Sequence, residues 1–128
     1  MIAAIIFMAM AGADAEPPRP TLECAEHMSD DRARRACLRD LLDDAETELA
    51  AAVARAGQEA EDVDLMAAGR HGAQSRLETA QSAWLAYRDA ECERRASLML
   101  IGADDRGEID IDCRIAVTRA RTSELLEQ

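Results

Sequence analysis

The spacing of the apolar residues is the sequence feature that most constrains this fold. From Asp31 onward they recur at steps of three and four residues, which places them on one face of an α-helix. Ser29 and Asp30 come just before and offer the side-chain oxygens that cap a helix start. We therefore predict a long amphipathic helix that either ends at Gly57 or continues to Met66. Its apolar positions are Ala33, Cys37, Leu38, Leu41, Leu42, Ala45, Leu49, Ala52, Val53 and Ala56.

The rest of the chain predicts two further helices. Gly69 and Gly72 mark the first clear break, and a second helix is expected over residues 73–98. Residues 101–112 alternate isoleucine with acids and are predicted to form a loop with a short extended piece; a third helix follows over 113–126. The expected fold class is all-α, an antiparallel helix hairpin plus a C-terminal helix. The apolar face of the second helix is expected to hold Leu77, Ala80, Trp84, either Tyr87 or Arg88, Cys92, Ala96 and Met99.

Composition excludes several classes of protein. The chain has 128 residues, which suits one domain, and 48% of them are hydrophobic, so it is not a disordered polyelectrolyte. Its formal net charge is -11, and all 15 of its basic residues are arginine. An acidic chain with 2% aromatic residues is poorly suited to nucleic acid or to an anionic membrane surface. Six glycines and three prolines are too few for a turn-rich β-sandwich.

The N-terminal residues are typical of an export signal. Residues 2–10 are apolar but shorter than the ~20 residues that a membrane-spanning helix needs. Ala13 and Ala15 match the small-residue pattern that signal peptidase recognises, which predicts cleavage after Ala15. No basic residue precedes the apolar run, and this suggests a coding start inside a longer signal. The expected location is the periplasm or the medium, with no membrane anchor after cleavage. The predicted regions are a signal peptide over 1–15, a flexible proline-rich segment over 16–23 and a helical domain over 24–128.

All four cysteines lie beyond the predicted cleavage site. An even number in a small exported domain is typical of two disulfides. A metal site would need close pairs such as C-x-x-C, which the sequence lacks. Two connectivities are compatible with the predicted hairpin: a local one, Cys24–Cys37 with Cys92–Cys113, and a crossed one, Cys37–Cys92 with Cys24–Cys113. We favour the local pairing, because each bridge would then fix an irregular segment onto a helix.

The sequence carries no recognisable catalytic arrangement. The motifs G-x-S-x-G, H-E-x-x-H, G-x-G-x-x-G and the P-loop are all missing. His27 and His71 are far apart in the chain, and we expect both on the surface. We therefore expect a non-catalytic protein with no cofactor and no metal.

Residues 80–92 carry a recognisable signature, A-Q-S-A-W-L-A-Y-R-D-A-E-C. The predicted last helix then reads C-x-x-x-x-T-x-x-R-x-x-x-L. This pattern resembles the LprI-like lysozyme-inhibitor domain, and the resemblance covers about residues 24–127, including the upstream cysteine pair. It implies a small exported helical domain whose partner is a basic lysozyme. The residues that carry the resemblance are Gln81, Trp84, Tyr87, Arg88, Cys92, Cys113, Thr118, Arg121 and Leu125.

Two departures from the family pattern are visible. Thr21-Leu22-Glu23 precede Cys24 and do not form a lipobox, so we expect a soluble form rather than a lipid-anchored one. The connection over residues 57–73 is long and rich in alanine and glutamate.

Four signature residues of the second predicted helix share one face, since they are spaced by three or four residues: Gln81, Trp84, Arg88 and Cys92. One interpretation is a partner-binding stripe, because tryptophan and arginine are frequent hot-spot residues. The other, which we favour, is structural. In it Trp84 packs against the first helix, while Arg88 and Arg121 bond to helix-end carbonyls or to acids such as Asp43 or Asp44.

An acidic stretch precedes the last predicted helix. It could meet a basic lysozyme and steer its approach, or it could be a solvated loop; we expect residues 102–112 to make the contact. The leading function is a non-catalytic inhibitor that occludes the glycan cleft of a lysozyme-type muramidase. The alternative is a structural or interaction module of the cell envelope with another protein partner. The acids of the stretch are Asp104, Asp105, Glu108, Asp110 and Asp112.

Overall fold

A computed structural model describes residues 19–127, and the regular structure in that range is helical, with no strand. α2 (Asp31–Met66) and α3 (Ala73–Ser97) form an antiparallel hairpin. α4 (Ala103–Leu126) runs beside α2 and packs against both helices of the hairpin. The predicted all-α fold is therefore confirmed. The predicted signal peptide, its cleavage site and residues 16–18 of the predicted flexible segment lie outside the described residues. Residues 20–23 of that segment form a short helix in which Pro20 is buried. No helix within 19–127 has an apolar stretch long enough to cross a membrane. The elements are α1 (Pro20–Glu23), a 3-10 turn (Ala25–His27), α2 (Asp31–Met66), α3 (Ala73–Ser97) and α4 (Ala103–Leu126).

α2 is one continuous helix of 36 residues, so the longer of the two predicted alternatives is correct. Its N-cap is Asp30, whose carboxylate accepts a hydrogen bond from the Ala33 N–H at 3.0 Å. Gly57 lies inside the helix and does not end it, since a glycine there costs only about 1 kcal/mol relative to alanine. The helix stops where Ala68 and Gly69 adopt left-handed backbone, with φ of 50° and 73°.

Asp64 closes the connection between α2 and α3. Its carboxylate accepts hydrogen bonds from the N–H groups of Ala73 at 2.7 Å and Gln74 at 3.0 Å. These are donors that the start of α3 leaves unpaired, because the N-cap residue Gly72 has no side-chain oxygen. The bonds from Gln74 and Ala73 hold the pKa of Asp64 below its usual value. One side chain thus fixes both ends of the turn.

The predicted loop over residues 101–112 is wrong, because α4 begins directly after Gly102. Asp104 and Asp105 lie in its first turn, where negative charge favours a helix. The alternation of isoleucine with acids concealed this helix, since one of its buried positions is a glutamate, Glu108, and not an apolar residue. The positions on the inward face of α4, all buried or half-buried, are Glu108, Ile111, Ile115, Thr118, Thr122 and Leu125.

The core of the bundle is small and consists of two clusters. Several of its positions are alanine, which buries little area, so the large Trp84 side chain at the edge of the second cluster contributes disproportionately. The first cluster contains Cys24, Leu38, Ala45 and Ile115. The second contains Leu49, Ala52 and Leu125.

Both disulfides follow the local pairing, so that prediction is confirmed and the crossed alternative is wrong. The S–S distances are 2.04 Å for Cys24–Cys37 and 2.07 Å for Cys92–Cys113. The first bridge fixes α1 and the 3-10 turn onto α2, and the second ties the last part of α3 to α4. Because α2 and α4 start where α3 ends, both bridges lie at the same end of the bundle, which we call the disulfide end.

The α2–α3 hairpin extends past α4 at the opposite end. α2 has 36 residues and α4 has 24. At a rise of 1.5 Å per residue these helices are ~54 Å and ~36 Å long. The projecting part, which we call the hairpin tip (residues 61–72), exposes Val63, Leu65 and Met66.

Candidate functional site

The signature arginine, Arg88, lies inside the bundle and joins three helices. Only 7% of it is exposed. Its Nη1 donates to Glu46 Oε1 of α2 at 3.0 Å and to Thr118 Oγ1 of α4 at 3.2 Å. Its Nε donates to Asp89 Oδ1 at 2.9 Å, and the same oxygen accepts a bond from Arg114 of α4 at 2.7 Å. The expected carboxylate partners, Asp43 or Asp44, are therefore replaced by others.

Trp84 lies one helical turn before Arg88 and contacts it through its ring. The guanidinium carbon of Arg88 is 5.5 Å from the ring centroid, within the range of a cation–π interaction. The indole also packs against the second core cluster, which includes Leu49 of α2. The tryptophan and the arginine of the signature are therefore used within the molecule, where they hold α3 against its neighbours.

The remaining signature residues connect α3 to α4. Arg121 donates to Gln81 Oε1 at 3.3 Å and to Glu124 at 3.0 Å. Thr118 is fully buried, and Leu125 is part of the second core cluster. Tyr87 differs from the others, because 56% of it is exposed. The sequence left open whether Tyr87 or Arg88 lies on the buried face of this helix, and the structure buries Arg88.

Glu108 is the first of the predicted contact acids that serves the fold. It is buried, and its carboxylate receives two bonds from the Arg34 guanidinium, at 2.9 and 3.1 Å. Arg35 lies 3.8 Å away. The hydrogen bond with Glu108 raises the pKa of Arg34 above its ordinary value. The pair locks the start of α2 to the start of α4.

Asp110 and Asp112 also act within the bundle. Asp110 accepts a bond from Arg114 Nε at 2.7 Å on the same helix. Asp112 accepts bonds from the Thr21 N–H, at 2.8 Å, and from the Thr21 hydroxyl, and so holds α1 on α4. Asp104 and Asp105 remain; both are exposed, and neither forms an ion pair within residues 19–127. Of the five acids expected to contact a partner, three therefore bond within the bundle, and two are free to bind a partner.

Sequence reasoning missed the most exposed apolar feature, the turn between α3 and α4. We call it the aliphatic turn (residues 98–101). The exposed fraction of its four residues ranges from 38% for Ile101 to 102% for Leu100. Met99, expected on the buried face of a helix, belongs to this turn. The available signal was four consecutive large apolar residues between the charged pairs Arg94-Arg95 and Asp104-Asp105.

The two flanks of the aliphatic turn differ in charge and in how their charged side chains are paired. Arg94 and Arg95 both donate to Glu91, at 2.7–2.8 Å. The bond from Arg94, and then that from Arg95, lowers the pKa of Glu91 to about 2. On the other flank Asp104 and Asp105 have no cation bound to them among residues 19–127. The available chemistry is that of recognition: aliphatic side chains beside free carboxylates.

The residues described here do not form a metal-binding cluster. Within 19–127, no three His, Cys, Asp or Glu side chains are grouped so that they could hold an ion. All four cysteine sulfurs are used in disulfides.

Comparison with known proteins gave one result. A family model described as "Lysozyme inhibitor LprI" matches residues 24–125. The matched range begins at the first cysteine and includes both disulfides, the Arg88 network and the aliphatic turn. No curated protein and no solved structure matches the chain significantly.

Proposed function

Because this chain belongs to the LprI lysozyme inhibitor family, we propose that it binds a lysozyme-type muramidase and blocks the glycan cleft of that enzyme. The observation that carries the proposal is the family match over residues 24–125, since it spans nearly all of the disulfide-linked bundle. The resemblance noted from the sequence and the family match agree.

Charge supports the choice of partner. The chain has a formal net charge of -11, and the partner that we propose is a basic lysozyme. Opposite net charges accelerate the encounter of two proteins and disfavour acidic competitors. Asp104 and Asp105 are free to take part in such an encounter.

Rigidity supports inhibition by occlusion rather than by chemistry. The two disulfides fix the helices at one end before any partner arrives, which lowers the ordering cost of binding. A non-catalytic inhibitor needs only a stiff surface that fills or covers a cleft. We propose this role, with no cofactor and no metal.

The proposed setting is outside the cytoplasm, in the periplasm or the medium. Disulfides persist in oxidising compartments and are rare in the cytosol. A signal peptide over residues 1–15, with cleavage after Ala15, is part of this proposal.

The direct test is the clearing of a cell-wall suspension by lysozyme, followed as turbidity. We expect the oxidised protein to slow clearing at micromolar concentration and low salt, with weaker inhibition at high salt because screening reduces the attraction. An unrelated acidic helical protein of similar net charge serves as the control. Full clearing in the presence of the oxidised protein would contradict the proposal and leave an envelope interaction module as the alternative.

A further inference from the structure

The aliphatic turn exposes more apolar surface than the five-residue connection between α3 and α4 needs. Leu98, Met99, Leu100 and Ile101 are all exposed, and Leu100 contacts almost nothing. Single exposed apolar residues are ordinary, but a contiguous apolar patch on a small acidic protein points to a partner. Glycine, serine or asparagine would form such a turn without this exposure.

The turn is held on a rigid base. Its two flanks are joined by the Cys92–Cys113 bridge, whose Cα atoms are 5.5 Å apart. The Leu98 N–H donates to the Arg95 carbonyl, and the Met99 N–H donates to the Ala96 carbonyl, each at 3.2 Å. Below it, the Arg34–Glu108 pair fixes α2 to α4. The aliphatic side chains are therefore presented in a pre-organised position.

The acidic flank of the turn and the net charge of the whole chain favour a cationic partner. Asp104 and Asp105 are unpaired within the described range, with Arg106 as the exposed cation beside them. On the other flank Arg94 and Arg95 share the single carboxylate of Glu91, so that flank keeps one positive charge. The net charge of -11 adds a long-range attraction for a basic surface.

A lysozyme cleft has the matching chemistry. The general acid of these enzymes lies in a hydrophobic pocket against a tryptophan, so part of the cleft wall is apolar. An aliphatic side chain that packs against this wall removes its own apolar surface and that of the wall from water, which lowers the free energy of the complex. Aspartates set back from the turn would stay at the rim of the cleft, away from the catalytic carboxylates.

We infer that the aliphatic turn inserts into the substrate cleft of the lysozyme, with Leu100 foremost and with Asp104 and Asp105 at its basic rim. This inference rests on the proposed function and names its contact surface. It moves the centre of contact from residues 102–112 to the turn before them.

The test compares two exposed leucines at opposite ends of the bundle. Leu100→Ser removes the foremost side chain of the turn, and Leu65→Ser makes the same change at the hairpin tip, ~50 Å away along α2. We expect Leu100→Ser to raise the inhibition constant for lysozyme about tenfold or more, and Leu65→Ser to change it by less than about twofold. Circular dichroism melting curves of both variants establish that the fold is intact.

A second comparison addresses the rim. Asp104→Asn with Asp105→Asn removes two exposed charges beside the turn, and Glu61→Gln with Asp62→Asn removes two at the hairpin tip. Both double variants have the same net charge. We expect only the first to slow association strongly, about threefold or more, because local charge steers docking.

The outcomes separate the inference from the proposed function. If the wild-type protein inhibits lysozyme and Leu100→Ser inhibits equally well, the inference is overturned while the function stands. If Leu65→Ser is the variant that loses inhibition, the contact surface lies at the other end and the inference is again overturned. If the wild-type protein does not bind lysozyme, the proposed function is overturned, and the inference with it.

Discussion

At the scale of single residues, Arg88 is a buried arginine that joins the three long helices. It is buried and bonds to α2, to α4 and to its own helix while it lies on Trp84. Lysine could not replace it, because a single ammonium group cannot reproduce the planar fork of the guanidinium. The arginine of the family signature is thus explained by the fold, whatever the protein binds.

Removing Arg88 should therefore destabilise the protein. We expect Arg88→Ala to lower the free energy of unfolding by about 2–3 kcal/mol, because a buried network and the packing on Trp84 are lost together. Arg55→Ala is the matched control, since Arg55 pairs with Glu59 on the exposed side of α2. The control should cost less than about 0.5 kcal/mol. Urea denaturation measures both, and equal losses would contradict this account of Arg88.

At the scale of elements, the α2–α3 connection depends on one carboxylate. Asp64 caps α3 from the preceding helix, and its bonds from Gln74 and Ala73 lower its pKa in the folded state. A carboxylate with a lowered pKa stabilises the fold above its unfolded pKa. That contribution is lost as the pH falls below the usual aspartate value of 3.8.

Asp64→Ala should open the start of α3 and remove this pH dependence. We expect faster amide exchange at Ala73 and Gln74, and a smaller loss of stability between about pH 4 and pH 2 than in the wild type. Asp62→Ala, a change of the same kind on an exposed neighbour, should leave both quantities unchanged. Unchanged exchange in Asp64→Ala would show that the turn does not need the cap.

The glycines of α2 and of the following turn should respond oppositely to alanine. Gly57 lies within the helix, and a Cβ there would meet nothing within 4 Å, so Gly57→Ala should stabilise the protein by about 0.5–1 kcal/mol. Gly69 has equally free surroundings but a φ of +73°, so Gly69→Ala should destabilise it. The thermal unfolding temperatures of the two variants show whether the room for a Cβ atom or the backbone φ decides the effect of alanine. Destabilisation by Gly57→Ala would indicate that α2 needs a flexible point there.

The spacing of apolar residues predicts a helix only where the buried positions of that helix are apolar. α2 and α3 have apolar residues at regular steps, so both were predictable. The local disulfide pairing followed from a different argument, because each bridge fixes a segment beside a helix: Cys24–Cys37 holds α1 on α2, and Cys92–Cys113 ties α3 to α4. The start of α4 was not, because its first buried position is Glu108, whose burial depends on Arg34 of another helix. The aliphatic turn was also missed, since apolar residues in a sequence look like core until the helix end that exposes them is known.

Three of the five candidate contact acids were mispredicted, because their role also depends on partners from distant parts of the chain. Glu108, Asp110 and Asp112 have the same residue types as Asp104 and Asp105, and only their distant partners distinguish them. Thr21, which binds Asp112, is more than ninety residues away in the chain. Charge can be counted in a sequence, but whether a charge is free depends on tertiary contacts.

At the scale of the whole molecule, the two disulfides should have different functional weight. Each closes a short loop and should stabilise the fold by about 2–4 kcal/mol. Cys92–Cys113 also supports the aliphatic turn, whereas Cys24–Cys37 fixes α1. We expect the pair Cys92→Ser and Cys113→Ser to weaken lysozyme inhibition more than Cys24→Ser with Cys37→Ser does, at a temperature where both variants are folded. Equal inhibition by both would contradict a role of the turn.

The central claim is that this acidic, disulfide-linked bundle forms a complex with lysozyme at the substrate cleft. Titration calorimetry of the oxidised protein with lysozyme, alone and with a saturating chitin oligosaccharide in the cleft, tests it most directly. The account predicts a one-to-one complex that weakens sharply when the sugar is present. Absence of a complex, or a complex whose affinity the sugar leaves unchanged, would contradict it.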